Sequence, residues 1–455
     1  MSYFSKLREK QSKFYQQLWQ EISEMKIIDT HEHFWTIKDL KNRIAVSKKG
    51  ERKLIAPDIF RQSYVFIKPE GTYEDWLKEL KQYRGTGYLK TWLIALEELY
   101  GIEGPINESY LKIMEVKINN AYKEDFEKNS YYHLGEILRK KMNIQYLIQD
   151  ITLEEHLEMP QPMCQAAARL PSIMEGITVP AGRIPLKPED GDGNNALVYW
   201  FAQEKLRMNL DDIKTLDDYL DITEKLMDFL KYSGHYKSIK LNIAYDRPLY
   251  FHEPSNNEAT IRKRYNDPPH SEKECWLFGD YMMHFILEWM QENWRVPIQI
   301  HTGLARIYDD GSDATNLSNL FLKFPDLYFD LMHGNYPFNK MAGMLHQIPN
   351  INADLCWLPA ISQTAAQRTL TEIFEVGDML ELQGWDPYHT PMLRTSLFGG
   401  DSAMVEGAYG ALQIAKDVLI RTLEDLHNRG HIFKVDAIDL AEQMLYSNPK
   451  RIFNL

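Results

Sequence analysis

The chain has 455 residues, of which 44% are hydrophobic and 26% are charged, and its formal net charge is −13. This composition is typical of a globular protein, and the length suits one large domain with insertions or two to three ordinary ones. An acidic chain has no electrostatic reason to bind nucleic acid or an anionic membrane, so a small-molecule substrate is the expected partner.

Cysteine use and the N-terminus bear on the compartment. The three cysteines, Cys164, Cys275 and Cys356, lie far apart and form no CxxC pair, so no disulfide framework is expected. Residues 1–26 are polar and lack the apolar core of a signal peptide. No apolar run approaches the ~20 residues that would span a bilayer. These features predict a cytoplasmic protein.

Short β-branched or apolar runs recur along the chain and alternate with longer amphipathic helical patterns, such as those at 215–234 and 275–294. Alternating strand and helix units predict an α/β protein with a parallel sheet. Eight units predict a closed (β/α)8 TIM barrel, with a doubly wound sheet as the lesser alternative. The predicted strands are 26–34, 143–151, a weaker run at 181–187, 236–245, 296–303, 326–334, 350–357 and 396–403.

Residues 35–142 separate the first two predicted strands, far more than one helix needs, and we interpret them as a helical insertion in the barrel of residues 26–455. Residues 1–25 are predicted to form an N-terminal helix. The insertion follows a strand at the catalytic face of the barrel, so it either covers the site or forms an oligomer contact. We weigh these two interpretations equally and expect a homo-oligomer.

Side chains that can bind a metal stand where several predicted strands end. His31 and His33 end the first strand, His301 the fifth, His333 the sixth and Asp401 the eighth. Residues two apart on a strand point to the same side, so His31 and His33 point together. Catalytic residues of barrels gather at the carboxyl ends of the strands. Imidazole and carboxylate ligands suit a divalent transition metal, zinc first.

Lys240 lies on the fourth predicted strand, on the side that alternation turns toward the barrel interior. A buried lysine beside metal ligands has two outcomes. It forms an ion pair with a carboxylate such as Asp401, or its neutral amine takes up carbon dioxide to give a carbamate that bridges two metals.

Two neighbours of the histidine pair complete the first strand. By alternation, Asp29 lies on the same interior side as His31, one layer deeper, as a packing residue or one that orients a histidine. Glu32 points away. Trp35, where the insertion begins, is a candidate wall of the substrate pocket.

This ordered set of motifs resembles the amidohydrolase superfamily, and within it the amidohydrolase-2 group and the amidohydrolase domain of fungal FluG-type proteins. The resemblance implies a (β/α)8 barrel that binds one or two Zn²⁺, with another divalent metal such as Mn²⁺ as an alternative. The segment FGGDSAM departs from many relatives because no histidine follows the aspartate. Besides HxH at 31–33, the motifs are SIKLNIAY (238–245), VPIQIHTGL (296–304), LMHGNYPF (331–338) and SNPKRIF (447–453).

The resemblance also implies a reaction, the hydrolysis of a C–N bond. His31, His33, His301 and Asp401 would hold the metal; with two metals, a Lys240 carbamate and His333 would join them. With one metal, His333 would polarise the substrate carbonyl. Asp401 would accept a proton from water and pass it to the leaving amine.

Candidate substrate-binding residues lie on the loops that follow the strands. Arg247 follows the fourth strand, Arg306 the fifth and Glu406 the eighth. An arginine there can bind a substrate carboxylate through two hydrogen bonds, which suggests a small carboxylate-bearing substrate. Ordinary loop salt bridges explain each of these residues equally well.

Other functions stay open on the same fold. One alternative is a mononuclear-metal non-oxidative decarboxylase or a uronate-isomerase-like enzyme of the same superfamily. A second is a non-catalytic metal-binding regulatory barrel. The loss of a ligand would indicate the second, and every expected ligand is present.

Overall fold

A computed structural model describes most of the chain and contains the predicted barrel. Each strand pairs in parallel with the next along the chain, which confirms the (β/α)8 TIM barrel. The described residues are 3–43, 45–46, 52–61, 64–151, 163–170, 197–254, 272–305, 310–377 and 393–455. The strands are β1 Ile27–Glu32, β2 Ile144–Ile151, β3 Cys164–Arg169, β4 Tyr236–Leu241, β5 Ile298–His301, β6 Phe329–Met332, β7 Ile351–Asp354 and β8 Thr395–Ser396.

The barrel closes between β1 and the segment that follows β8. The Thr30 amide donates to the Phe398 carbonyl over 2.9 Å, and the Asp401 amide donates to the His31 carbonyl over 3.1 Å. The regular part of β8 has only 2 residues, so most closing hydrogen bonds come from this following segment. Asp401 is thereby tied to the strand that carries the two histidines.

The third strand lies elsewhere than predicted. β3 is Cys164–Arg169, between β2 and β4 in the sheet, whereas the predicted strand at 181–187 lies outside the described residues. Its sequence CQAAAR contains three consecutive alanines and no β-branched residue, so it carries no strand signal. The small side chain of Ala167 packs with Ile148, Ile452 and Phe453.

β1 contains a β-bulge that changes the side on which Asp29 lies. Asp29 pairs with Leu147, and Glu32 pairs with Gln149, so one strand advances three residues while the other advances two. A bulge shifts the alternation by one residue, which brings Asp29 and Glu32 to the same side. Their carboxyl groups lie side by side. The expectation that Asp29 shares the interior side with His31 is therefore corrected.

The N-terminal region forms two helices, Tyr3–Glu9 and Lys13–Ser23, instead of the single one expected. Ser12 begins the second helix, because its hydroxyl accepts the Tyr15 amide over 3.0 Å. The buried side chains of this helix pack against Val405–Asn428 in one hydrophobic cluster. These helices cover the outside of the barrel near its closing strands.

The described residues between β1 and β2 form several helices and one antiparallel pair of two-residue strands, Ala45–Val46 with Arg52–Lys53. It has its own hydrophobic core, which Met404 joins from just beyond Asp401. Its core is thus continuous with the segment that carries a predicted metal ligand. The helices are Ile37–Arg43, Ala56–Arg61, Tyr73–Leu80, Gly87–Tyr100, Glu108–Ala121, Lys123–Lys128 and Tyr132–Glu136, followed by a π-helical turn at Ile137–Lys141.

Helix Leu216–Ser233 shows why the predicted outer helices form. Thr215 and Asp218 make a capping box, and Gly234 ends the helix at φ +72°.

No helix within the described ranges combines the length and apolarity needed to cross a membrane. The other helices around the barrel are Leu197–Glu204, Glu272–Asn293, Ser318–Lys323, Met341–Gln347, Leu358–Ile361, Gln363–Val376, Val405–Asn428, Lys434–Glu442 and Asn448–Ile452.

Lys416, on helix Val405–Asn428, yields a stability prediction because it is only 3% exposed. Burial and the nearby Arg8 lower the pKa of Lys416 to about 8, while Glu98 acts in the opposite direction. Below that pKa, the buried cation destabilises the folded state by on the order of 2–3 kcal/mol. We therefore expect Lys416→Met to raise the free energy of unfolding at pH 7 by about 2 kcal/mol, measured by urea unfolding.

The pH dependence supplies the control. Between pH 8 and the ordinary lysine pKa of 10.5, the unfolded chain holds a proton that the folded chain has released. The wild-type stability should therefore rise with pH in this window, and the Lys416→Met variant should lack that contribution. Lys225→Met, on an exposed helix face, should change neither value. Equal stability of wild type and Lys416→Met at pH 7 would contradict the prediction.

Candidate metal centre

His31, His33 and Asp401 meet at the carboxyl end of the barrel. One ligand atom from each residue lies within 4.8 Å of the others. His33 Nε2 lies 3.0 Å from Asp401 Oδ1 and 3.1 Å from His31 Nε2. His31 is 1% exposed and Asp401 is 5% exposed. The structure thus gathers three of the predicted ligands into one cluster, in which the His33 side chain remains 31% exposed.

The charge states of this cluster suit a divalent cation. Burial and the nearby Lys240 lower the pKa of His31 well below its usual value, so its imidazole is neutral. Burial alone would raise the pKa of Asp401, but its hydrogen bond and proximity to His33 outweigh burial and lower it. Neutral imidazole nitrogens beside an ionised carboxylate are a donor set that zinc and similar metals prefer. The residues therefore fit the metal that the resemblance implies.

Asp150 and Arg169 lie behind His33, and sequence reasoning missed both. Asp150 Oδ2 is 3.7 Å from His33 Nδ1, and Arg169 donates two hydrogen bonds to Asp150, over 2.9 and 2.7 Å. Arg169 Nη2 lies 3.3 Å from the same His33 nitrogen, so the arginine, held in place by Asp150, restricts the orientation of the ring. Asp150 stood near the end of a predicted strand and could have been found by the same criterion as Asp401. Arg169 ends β3, the strand that the sequence did not reveal.

His301 and His333 face each other in a second pair. His333 Nδ1 lies 3.0 Å from the Cys356 carbonyl, and His301 Nε2 lies 3.0 Å from the Leu304 carbonyl. A carbonyl oxygen only accepts, so these two nitrogens carry the ring protons. The facing atoms, His333 Nε2 and His301 Nδ1, are 2.9 Å apart and both present lone pairs.

Protonation does not resolve this contact, because burial lowers the pKa of His333 to about 4 and lowers that of His301 well below its usual value. Two converging lone pairs call for a cation or a hydrogen-bond donor beside them. The pair therefore presents two facing lone pairs close to the candidate ligands His33 and Asp401.

Lys240 lies on β4 and is 2% exposed, as predicted for an interior residue. Its Nζ contacts the sulfur of Met332, and within the described part of the chain no carboxylate forms an ion pair with it. Burial lowers the pKa of Lys240, against the opposing influence of Asp150. Of the two outcomes considered for Lys240, the ion pair with Asp401 is not formed.

Aromatic side chains wall the site. Tyr64, from the insertion, donates from its hydroxyl to Asp401 Oδ2 over 3.2 Å, and its ring centroid lies 4.6 Å from that of Trp357. The Trp357 ring is 5.2 Å from that of His333, and the Tyr245 ring is 4.5 Å from that of His301. The insertion therefore supplies a side chain to the site, in agreement with the covering role considered for it.

Trp357 is also unusual by itself. Its φ is +63°, a strained conformation for a bulky residue, and its buried Nε1 has no hydrogen-bond partner. Strained residues and unsatisfied buried donors concentrate at functional sites.

The structure gives Arg247 a different role from the predicted one. Its side chain is 2% exposed, and its guanidinium pairs with Asp280 over 2.6 Å. It also donates to the carbonyls of Trp276 and Tyr250. Arg247 thus holds the loop after β4 to helix Glu272–Asn293, and the expectation that it binds substrate is corrected.

Glu406 likewise binds protein groups instead of facing the pocket. Its side chain is fully buried, and its carboxylate accepts hydrogen bonds from Tyr100 (2.5 Å), Tyr122 (3.0 Å) and His133 (3.0 Å), all in the insertion. Its hydrogen bond with His133 helps to lower the pKa of Glu406 despite burial. The carboxylate joins the insertion to the helix after Asp401, so its expected substrate role is corrected as well.

Two predicted substrate residues remain. Trp35 donates its amide to the Ala403 carbonyl over 3.0 Å and packs against the core of the insertion. It therefore lies next to the segment that carries Asp401. Arg306 lies outside the described residues.

Comparisons with known proteins agree with the fold. No protein-family model matches the chain. A stretch of 163 residues is 26% identical to the FluG protein of Emericella nidulans, covering 35% of this chain and 17% of that protein. The chain thus spans a small part of the curated relative it matches.

Solved structures match nearly the whole chain at low identity. The uronate isomerase of Thermotoga maritima has a TM-score of 0.68 and 16% identity, over 97% of this chain and 98% of that one. The glucuronate isomerase of Caulobacter crescentus has a TM-score of 0.65 and 15% identity, over 97% and 94%. A Lactobacillus casei protein, provisionally described as a metal-dependent hydrolase, has a TM-score of 0.60 and 14% identity, over 96% and 97%. These likenesses establish the barrel and its helical insertion as a known architecture.

Proposed function

We propose that this protein is a metal-dependent enzyme that hydrolyses a C–N, amide-type bond of a small carboxylate-bearing substrate. The observation that carries the proposal is the convergence of His31, His33 and Asp401, with one ligand atom of each within 4.8 Å of the others. A divalent ion held by these three residues, Zn²⁺ in the first instance, would supply acidity to a water molecule and polarise a carbonyl group.

Side chains of the protein would transfer the proton from the attacking water to the leaving group. Asp401 is ionised and buried, so it can accept a proton from the attacking water and deliver it to the nitrogen of the leaving amine. Tyr64 donates to the same carboxylate and restricts its orientation. The lone pair of His333 Nε2 is available to a donor on the substrate or on water. The C–N bond breaks, and the carbonyl carbon gains the oxygen of water.

Arg169 is the residue we propose for the substrate carboxylate. It is a cation at the carboxyl end of a barrel strand, its side chain is 31% exposed, and its Nη2 lies 3.3 Å from His33 Nδ1. Its Nε and Nη2 donate to Asp150, so a substrate carboxylate would approach the exposed side of a guanidinium that Asp150 already holds in place. This proposal takes the place of the one made for Arg247.

A substrate panel tests the proposed hydrolysis. Zinc-loaded protein is incubated with N-acyl and N-carbamoyl amino acids, and the release of primary amine is measured against protein stripped of metal by a chelator. We expect amine release only from the loaded protein. No release from any member of the panel, in protein that demonstrably holds metal, would contradict hydrolysis of this substrate class.

A second candidate is the isomerisation of a sugar acid. The observation that favours it is the match of backbone over 97% of the chain, insertion included, to proteins described as uronate and glucuronate isomerases. In that reaction Asp401 would move a proton between neighbouring carbons of the substrate. Conversion of D-glucuronate to a ketose, without amine release in the panel above, would select this candidate over hydrolysis.

The number of metal ions gives a further prediction. Among the described residues, His31, His33 and Asp401 make up the single group of three ligand side chains, and Lys240 packs on Met332. We therefore expect about one equivalent of zinc per chain, unchanged in Lys240→Met, by elemental analysis of purified protein.

A different stoichiometry would favour the carbamate. Two equivalents in the wild type and one in Lys240→Met, with the added mass of carbon dioxide on Lys240 in native mass spectrometry, would contradict the single-metal prediction. His301 and His333 would then be ligands of the second ion.

A further inference from the structure

The segment that carries Asp401 is held from behind by two acidic side chains of β1. Glu32 Oε2 accepts the Ser402 amide over 2.8 Å. Asp29 accepts the Gly400 amide and the His31 amide, the latter over 3.3 Å. The residues on both sides of Asp401 are therefore bound through their backbone, on the face away from the histidine rings.

The two acidic side chains act as one unit. Asp29 and Glu32 are both 0% exposed, and their carboxyl groups lie side by side. Asp29 Oδ2 and Glu32 Oε1 are buried without a hydrogen-bond partner in the described chain.

The backbone around Asp401 requires such support. Asp401 has a φ of +50°, in the left-handed region that a residue with a side chain rarely adopts. Gly400 allows the close approach of the acidic pair, since a Cβ at this position would lie 2.1 Å from Glu32 Oε1 and 2.9 Å from Ala408 Cα. The backbone at Gly400 thus lies directly against the carboxyl group of Glu32.

We propose that Asp29 and Glu32 are positioning residues that fix the direction of the Asp401 carboxylate. We call them the carboxyl clamp. Because the clamp holds the amides of Gly400 and Ser402, the side chain between them is turned to the opposite face, where His31 and His33 lie. The inference rests on the proposed function for the metal that Asp401 binds, and it adds two residues that touch neither metal nor substrate.

A pair of variants separates the hydrogen bonds of the clamp from its packing. Glu32→Gln keeps an oxygen for the Ser402 amide and adds an amide donor for Asp29, so it should preserve the clamp. Glu32→Leu keeps the approximate volume and removes every hydrogen bond. The control is Asp330→Leu, which removes another fully buried carboxyl of the barrel, one that is bonded to Asn352 and Gln299 instead of the Asp401 segment.

Two readouts are taken. The first is amide hydrogen exchange of residues 398–404 in metal-free protein. The second is the affinity for Zn²⁺ by competition with a chelating dye, together with the visible spectrum of Co²⁺-loaded protein. We expect Glu32→Leu to exchange faster in this segment, to bind Zn²⁺ about 10–100-fold more weakly and to shift the Co²⁺ spectrum. Glu32→Gln and Asp330→Leu should match the wild type in both readouts.

The outcomes distinguish this inference from the proposed function. Unchanged exchange and Zn²⁺ affinity in Glu32→Leu would overturn the clamp. If wild-type protein binds no Zn²⁺, the proposed function fails, and the exchange measurement still decides whether the clamp holds the segment. If Glu32→Leu does not fold, Gly400→Ala is the second variant, because its added methyl group would clash with Glu32 Oε1. It should show the same loss of protection from hydrogen exchange and the same loss of Zn²⁺ affinity. Wild-type values in that variant would overturn the clamp.

Discussion

Replacing Asp401 with asparagine is expected to remove most of the bound metal and to lower turnover about a thousandfold. The substitution keeps the size of the side chain but removes the negative charge that balances the cation beside His31 and His33. It also removes the group that accepts and returns the proton. Metal content is measured by elemental analysis, and turnover is measured with the substrate found in the panel.

The matched control is Asp330→Asn. Asp330 is fully buried in the same barrel, is hydrogen-bonded to Asn352 and Gln299, and belongs to no group of candidate metal ligands in the described chain. We expect this control to retain metal. Full metal content and turnover in Asp401→Asn would contradict the assignment of the site.

The candidate ligands could be selected from the sequence because their positions follow a simple rule. His31, His33, His301 and His333 each end an apolar run, and in a closed barrel the ends of all parallel strands converge. Asp401 fits the rule less strictly, since it lies beyond the two-residue β8 on a segment that continues beside β1. The converging geometry of the barrel makes the prediction insensitive to such differences in strand length.

Other features of the site depend on geometry that a hydrophobic pattern does not carry. The β-bulge between Asp29 and Glu32 reverses the side of the strand on which Asp29 lies. No residue type in this stretch indicates that a bulge is present. Tyr64 comes from the insertion, far from any strand, and reaches Asp401 only through tertiary packing. Arg169 ends an alanine-rich strand that lacks the β-branched residues by which strands are identified.

Arg247 and Glu406 illustrate the opposite error. Both stand a few residues beyond a strand, where charged side chains can face a substrate. The sequence does not say which neighbour offers a closer partner, and in the structure Asp280 binds Arg247 while Tyr100 and Tyr122 bind Glu406. Buried charges require such partners, so proximity to a strand end does not by itself make a charged residue a ligand contact.

The contacts of Glu406 link the insertion to the candidate metal centre. Glu406 lies 5 positions after Asp401 in the chain and binds side chains of the insertion, while Met404 joins the core of the insertion. Tyr64 then returns from the insertion to Asp401 itself. The insertion and the Asp401 segment are therefore one packed unit, so a substitution in the core of the insertion can displace Asp401 without changing any barrel residue.

Arg169→Met is expected to raise the KM for a carboxylate-bearing substrate about tenfold to a hundredfold, with a smaller change in kcat. The physical reason is the loss of charge-assisted hydrogen bonds, each of which contributes about 1.5–3 kcal/mol. Arg169→Lys keeps the charge but not the planar fork, so its KM should lie between those of Arg169→Met and the wild type. Initial rates over a range of substrate concentrations provide the measurement.

A neutral analogue separates carboxylate binding from the support that Arg169 gives to Asp150 and His33. For the methyl ester of the same substrate, loss of the Arg169 guanidinium should leave KM nearly unchanged. Equal increases in KM for acid and ester, accompanied by loss of metal, would assign Arg169 to the orientation of His33 and contradict its role in carboxylate recognition. Metal content is measured on the same samples. If Arg169 binds the substrate carboxylate, the variant should bind the acid more weakly and retain its metal. If Arg169 orients His33, the variant should lose metal and show no selectivity between acid and ester.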